Sequence, residues 1–148
     1  MASLEVVQAV RVVEFFLDDT TPSKNSPLVR TSWKSKAEQK AHWQERIITE
    51  LERLEMPRPI PKRGPLIVYC TERFKARRDQ ELQNYQPFAA EVILDALIGG
   101  HPNYSRGETR RHDGWLHDDT DDQVEFNFDI LRDRGRVGTG VRLVWRTP

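Results

Sequence analysis

The chain has one cysteine, no net charge and no long apolar run. Cys70 is the only cysteine in 148 residues, so no disulfide can form within the chain, and this is typical of a reducing cytoplasm. No stretch approaches the roughly 20 apolar residues that span a bilayer. The first residues lack the basic and apolar regions of a signal peptide. We therefore expect a cytoplasmic protein with no membrane partner.

The balance of charge also limits the function. The chain carries 23 Lys and Arg against 23 Asp and Glu, so the field of the whole molecule does not favour nucleic acid. Any nucleic-acid binding must depend on local clusters of basic residues. A chain of this length is predicted to form one domain, residues 1–148, that buries about two-thirds of the surface of the unfolded chain.

Apolar periodicity predicts a small α/β (α+β) domain. The predicted elements are a strand over 4–17, a helix over about 34–55, a strand over 66–70, a core helix from Pro87 in its first turn to about 98, and a hairpin of two strands, 124–130 and 137–145. Turn residues and prolines predict that 18–27 and 56–65 connect these elements. A polar loop is predicted over 99–113, and loops of this length are usually functional or mobile.

Carboxylates recur in three separate segments of the chain. They are Asp79, Glu81, Glu91, Asp95, Asp118, Asp119, Asp121 and Asp122. Crowded carboxylates raise one another's pKa, and a divalent cation between them relieves this repulsion. Since there is neither a cysteine cluster nor a clear histidine cluster, oxygen-liganded Mg²⁺ or Mn²⁺ suits these residues. The alternative is that the run from 118 to 122 is simply a solvated loop.

Glu91 and Asp95 stand one helical turn apart on the predicted core helix. Their side chains therefore share a face and repel each other. On a buried helix this pair is predicted to meet a cation, an arginine or water.

The order of the motifs resembles the RusA-like family of Holliday-junction resolvases. The resemblance lies in Arg-Arg-Asp at 77–79, in Asn-Tyr-x-Pro at 84–87 before a helix that ends in Asp-Ala-Leu, and in Gly-Trp-Leu-x-Asp-Asp at 114–119 shortly before Gln-Val. The Asn-Tyr-x-Pro form resembles the branch found in actinobacteria and their phages.

This resemblance implies a small mixed sheet packed against two main helices, and a homodimer. It also implies a Mg²⁺-dependent (or Mn²⁺-dependent) endonuclease of DNA recombination and repair, acting in the cytoplasm of a bacterial host cell. The enzyme would cut Holliday junctions or other branched DNA by phosphodiester hydrolysis, for which carboxylate-held metal ions activate water and stabilise phosphoryl charge.

The resemblance also assigns roles to residues. The catalytic residues would be Asp79, Glu81, Asp119 and Asp121. The metal ligands would be Asp79, Glu81, Asp118, Asp119 and Asp121, with Glu91 and Asp95 as additional candidates. The DNA-binding residues would be Arg73, Lys75, Arg77, Arg78, Arg110 and Arg111. We further expect the arginines between 132 and 146 to join the first four of these in one DNA-facing surface.

Three departures from the family pattern support an alternative function. Glu81 stands where the family has an aspartate, and Asn84 follows it by three residues instead of one. Glu91 stands where the family has a lysine. The alternative is therefore a catalytically weakened RusA-like protein that binds branched DNA or a protein partner without efficient cleavage.

Other chemistries fit the sequence less well. His101, His112 and His117 lack the paired spacing of a zinc site. The glycines from 135 to 140 fall in a predicted hairpin, whereas a nucleotide-binding loop connects a strand to a helix. The four tryptophans are expected in the core or at a dimer contact.

Overall fold

The computed structural model describes residues 9–30, 32–75, 81–99, 114–117, 120 and 122–148. In chain order its elements are strand β1 (Val10–Leu17), helices α1 (Pro27–Arg30) and α2 (Trp33–Arg53), strand β2 (Arg63–Phe74), helix α3 (Leu82–Leu97), and strands β3 (Val124–Arg132) and β4 (Gly138–Arg146). The predicted α+β class, a small mixed sheet with two main helices, is confirmed. Residues 4–8 of the first predicted strand lie outside the described residues.

The four strands form one sheet in the order β1-β4-β2-β3. Strand β4 pairs antiparallel with both β1 and β2, and β3 pairs parallel with β2. The predicted hairpin of the last two strands is therefore wrong. Helix α3 carries the chain from β2 to a parallel neighbour, as such a pairing requires, and β4 then takes the place between β1 and β2. There Val141, Leu143 and Trp145 are buried in the core.

One face of the sheet is covered and the other is open. Alternate strand residues such as Phe15, Val68 and Leu143 pack with buried residues of α2 and α3 in a single apolar core. The intervening residues point the other way, as the two-residue period of a strand requires. Among them, Val12 is 56% exposed and Tyr69 is 44% exposed.

The helix predicted over 34–55 is confirmed as α2. Ser32 caps it by accepting a hydrogen bond from the Ser35 N–H at 3.1 Å, which satisfies one of the free donors of the first turn. Its buried residues include Trp43 and Ile47. Ala37 and Ala41, near the start of the helix, are exposed. Trp115 and Trp145 are buried as expected, but Trp33 is 79% exposed.

Strand β2 is longer than predicted at both ends. It begins at Arg63 inside the predicted connector, where a register shift between Arg63 and Ile67 accommodates Gly64, with φ 74°, and Pro65. It also continues beyond Cys70 to Phe74. The short helix α1 begins at Pro27, the last residue of the predicted connector 18–27. It was not predicted.

Helix α3 begins at Leu82, five residues before the predicted start, so that Pro87 lies inside it. A proline there removes one intrahelical hydrogen bond. The turn before it is held by the Asn84 N–H, which donates to the Glu81 carbonyl at 2.9 Å, and by an edge-to-face contact between Tyr85 and Phe74. Among the described residues, no helix combines the length and the apolar character needed to cross a membrane.

Candidate nucleic-acid interface and acidic segments

Many of the predicted site residues lie outside the described part of the chain. These are Arg77, Arg78, Asp79, Arg110, Arg111, Asp118, Asp119 and Asp121. The described members are Glu81, Glu91, Asp95, Arg73 and Lys75, and Asp122 represents the acidic run.

Glu81 is the residue immediately before α3. Its backbone is extended, with φ −103° and ψ 137°, and its side chain makes no capping bond to the helix. The Gln83 Nε2 donates to its Oε2 at 2.6 Å, and the side chain is exposed. An exposed carboxylate at the start of a helix is favoured by the helix dipole.

Asp122 lies at the entry to β3. The Thr120 hydroxyl donates to its carboxylate, and this bond is the main cause that lowers the pKa of Asp122. The neighbouring Gln123 carbonyl accepts from the Leu66 N–H at 2.9 Å, which places this segment beside the first core residues of β2.

Glu81 and Asp122 lie at opposite ends of the sheet. Asp122 precedes the pairing of Val124 with Leu66, whereas Tyr85 of the first α3 turns packs on Phe74 at the end of β2. From Leu66 to Phe74 a strand extends roughly 26 Å. The two carboxylates therefore do not share an ion within one chain. In the described part of the chain, no three His, Cys, Asp or Glu side chains are grouped so as to hold a metal.

Of the three predicted partners of the Glu91 and Asp95 pair (a cation, an arginine or water), the structure shows a cation at Glu91. Lys40 of α2 forms an ion pair with Glu91, and the Gln44 Nε2 donates to Asp95 at 3.4 Å. Lys40 and Gln44 are themselves one helical turn apart, so the polar pairs of the two helices face each other. Asp95 is only 7% exposed, and its environment is internal to the helix pair.

Several arginines line a cavity of about 690 Å³ at the open face of the sheet. Its lining includes Glu14, Phe16, Arg53, Tyr69, Thr71, Arg73, Arg136 and Arg142. Guanidinium groups bind phosphate through a planar fork of donors, and an exposed aromatic ring can stack on a base. The cavity thus combines the two kinds of group that a nucleic acid requires.

Ion pairs hold these arginines in place. Arg73 donates to Asp133 at 2.9 Å and Arg142 to Glu14 at 3.2 Å, while the Arg136 guanidinium lies 3.7 Å from the centroid of the Phe16 ring. The Gly135 N–H, followed by Arg73 and the Arg136 N–H, lowers the pKa of Asp133. Because acids balance part of this charge, the surface is ordered but only moderately basic.

The structure thus places Arg73, Arg136 and Arg142 around one cavity, whereas Arg132, Arg134 and Arg146 do not line it; the DNA-facing surface stays a prediction. Lys75 lies one residue beyond β2 and is exposed, and it does not line this cavity. Sequence analysis missed Tyr69, although the strand alternation that buries Val68 and Cys70 would have placed it on the outer face. No sequence signal pointed to Lys40 as the partner of Glu91.

No model of a protein family matches the chain, and no curated protein matches it.

Proposed function

We propose that the protein is a metal-dependent, structure-selective endonuclease that cuts Holliday junctions or other branched DNA by phosphodiester hydrolysis. The observation that carries the proposal is the arginine-lined cavity on the open sheet face, with Tyr69 exposed between the ion-paired Arg142 and Asn127 in register. Arginines would bind phosphates and the tyrosine a base or sugar. The resemblance to RusA-like resolvases supplies the branched substrate and the bacterial setting.

The donor set supports Mg²⁺ or Mn²⁺. Every proposed ligand is a carboxylate, and hard divalent ions prefer oxygen. The ligands would be Asp79, Glu81, Asp118, Asp119 and Asp121. Such an ion, when bound, activates water and stabilises charge on the phosphoryl oxygens. Glu81 would hold its carboxylate at the start of α3, where the helix dipole favours it.

The separation of Glu81 from Asp122 supports a homodimer. A site that uses carboxylates from both acidic segments cannot be built around these two residues of one chain, since they lie at opposite ends of the sheet. We propose that one subunit supplies the segment before α3 and its partner supplies the segment before β3. Each dimer would then contain two composite sites.

A cleavage assay with mixed variants tests this proposal. Asp79→Asn and Asp119→Asn are each expected to abolish nicking of a synthetic four-way junction in Mg²⁺ or Mn²⁺. Mixed before assay so that subunits exchange, they should regain activity, because a heterodimer contains one site with both aspartates intact. Loss in each variant without recovery would support sites within single chains. Undiminished nicking in both variants would contradict the proposed metal ligands.

A second function is favoured by one observation. Glu91 stands at the position of the family lysine and is paired with Lys40. Helix α3 therefore has no cationic side chain at this position that could take part in the reaction. The second candidate is a protein that binds branched DNA, or a protein partner, without efficient cleavage. Tight junction binding by the wild type with no nicks in either metal ion would favour it.

A further inference from the structure

A buried carboxyl group lies on the covered face of the sheet, away from both acidic segments. Glu72 of β2 has no exposed surface. The Thr21 hydroxyl and N–H both donate to it, the N–H at 3.3 Å to Oε1 and 3.4 Å to Oε2. The Thr139 hydroxyl lies 2.7 Å from Oε2. These contacts join β2 to β4 and to the segment that follows β1.

In the part of the chain that the structure describes, no positive charge compensates this carboxyl group. Within the described residues, no basic side chain shifts the pKa of Glu72 or forms an ion pair with it. The titratable groups that act on it or are acted on by it are Cys70 of β2 and Tyr85 of α3, whose pKa values Glu72 helps to raise.

Two ionisable side chains of α2, Arg46 and His42, lie near this region. Arg46 of α2 binds Asp18 and Asp19 at 3.1 and 2.9 Å. His42 of α2 lines the neighbouring cavity. Across the sheet, the β3 partner of Glu72 is Ile130, which is apolar and buried. An ionised carboxylate without a cationic partner in such a place is strongly unfavourable.

The hydrogen-bonding distances around Thr139 indicate the protonation state of Glu72. The Thr139 Oγ1 lies within hydrogen-bonding distance of two acceptors, the Asp19 carbonyl at 2.8 Å and Glu72 Oε2 at 2.7 Å. A threonine hydroxyl has one hydrogen to donate. Both contacts are hydrogen bonds if Oε2 carries a proton and donates to Thr139, which then donates to Asp19. With an ionised Glu72, one of the two is an unfavourable approach of two oxygen lone pairs.

The same contacts fix one loop of the fold. Residues 18–26 are held to the sheet at Thr21 and Asp19, to α2 through Arg46, and to α3 by the Lys24 N–H, which donates to the Asn84 carbonyl at 2.8 Å. Thr21 also borders a cavity of about 440 Å³ together with Tyr85 and His42. The side chains of Glu72 and Thr139 thus both anchor this loop to the sheet, through Thr21 and the Asp19 carbonyl.

We propose that Glu72 carries a proton in the folded protein and that residues 18–26 act as a latch that depends on it: the closed loop buries the carboxyl group, so that ionisation favours release of the loop and opening of the adjoining cavity. The latch is independent of the proposed nuclease function. Burial raises the pKa of Glu72 to about 7, against the lowering by its threonine hydrogen bonds. The latch therefore opens near neutral pH.

Carbon-13 NMR of the Glu72 carboxyl group and hydrogen exchange of the Thr21 amide test the latch directly on the whole chain. The carboxyl signal should titrate near pH 7, and a midpoint below about 5, the range of an ordinary glutamate, would overturn the proposal. No variant is needed for this measurement, so it does not depend on any substitution being tolerated.

Glu72→Gln supplies the matched comparison. Its amide nitrogen can donate to Thr139 and its carbonyl can accept from Thr21, so it keeps the latch closed at every pH. At pH 8, above both pKa values, the Thr21 amide should exchange about 300-fold faster in the wild type than in Glu72→Gln, because the closed loop raises the Glu72 pKa from 4.5 to about 7. At pH 4 the two should agree within about twofold. The exposed Glu125→Gln should behave like the wild type. Equal exchange in wild type and Glu72→Gln at pH 8 would contradict the latch.

Discussion

The covered and open faces of the sheet differ in the side chains that the same strands contribute to them. On β2, Val68 has no exposed surface, whereas its neighbour Tyr69 is 44% exposed. The covered face packs apolar residues of all four strands against both long helices, with Glu72 and Thr139 as buried polar residues. The open face mixes aliphatic, aromatic and ion-paired side chains. Stability is therefore concentrated on one face, and the other is free to contact a ligand.

The polar groups of the two faces differ in the same way. On the open face, Arg142 and Glu14 are 58% and 65% exposed and keep much of their hydration. On the covered face, the partners of Glu72 among the described residues are hydroxyl and amide groups. A buried acid with neutral partners depends on its proton, whereas an exposed ion pair contributes little to stability.

The largest expected contrast comes from truncating one residue on each face. Leu143→Ala leaves a cavity under α2 and α3 and should lower the free energy of unfolding by about 2–5 kcal/mol. Val12→Ala, on the open face, should change it by about 0.5 kcal/mol or less. Urea denaturation of both variants measures the difference. Similar losses would mean that the open face is also buried, as by a second subunit.

The next contrast is the pH dependence caused by Glu72. Its pKa rises from 4.5 to about 7 on folding, so the folded state holds a proton that the unfolded state has lost between these values. This contribution to stability is fully present below pH 4.5 and disappears as the pH rises through 7. The total is on the order of 3 kcal/mol.

Urea titrations of the wild type and Glu72→Gln between pH 4 and 8 measure that contribution as their difference. Other carboxyl groups with lowered pKa, such as Asp133, give the opposite slope in both proteins and cancel. A constant difference across this range would show that Glu72 titrates alike in the folded and unfolded states.

The smallest effect on stability is expected on the open face, where binding should change instead. Tyr69→Ala should alter the free energy of unfolding by about 1 kcal/mol or less. Junction affinity should fall in both Tyr69→Ala and Arg142→Gln. Only Arg142→Gln should also flatten the dependence of affinity on salt, because a phosphate contact releases counterions. Arg30→Gln, exposed on α1, is the control. If all three variants bind the junction as tightly as the wild type, this face is not the DNA-binding surface.

Local patterns in the sequence predicted the elements better than their arrangement. The period of α2 and the apolar character of α3 identified both helices. The place of β4 depends on pairing between residues more than 60 positions apart, such as Val141 with Cys70, and no local pattern records such pairing. The turn residues at 133–136 resemble a hairpin turn, but Asp133 binds Phe74 and Arg73 of β2 instead.

The candidate site was predictable only in part. Arginines of the 132–146 region were expected to lie near Arg73, and Arg136 and Arg142 do so. The partner of Glu91 could not be predicted, because Lys40 approaches it from another helix. Glu72 could have been placed in the core by extending the alternation of Val68 and Cys70 by one step, but its charge argued against that extension.

The central position of β4 has a consequence for synthesis of the protein. On the ribosome β4 is the last of these four strands to emerge, yet among the described strands β1 pairs with β4 alone. The nascent chain through residue 137 can form the unit of β2, α3 and β3. The apolar residues of β1 then still lack their partner strand β4. During that interval they are open to chaperones or to a strand of another chain.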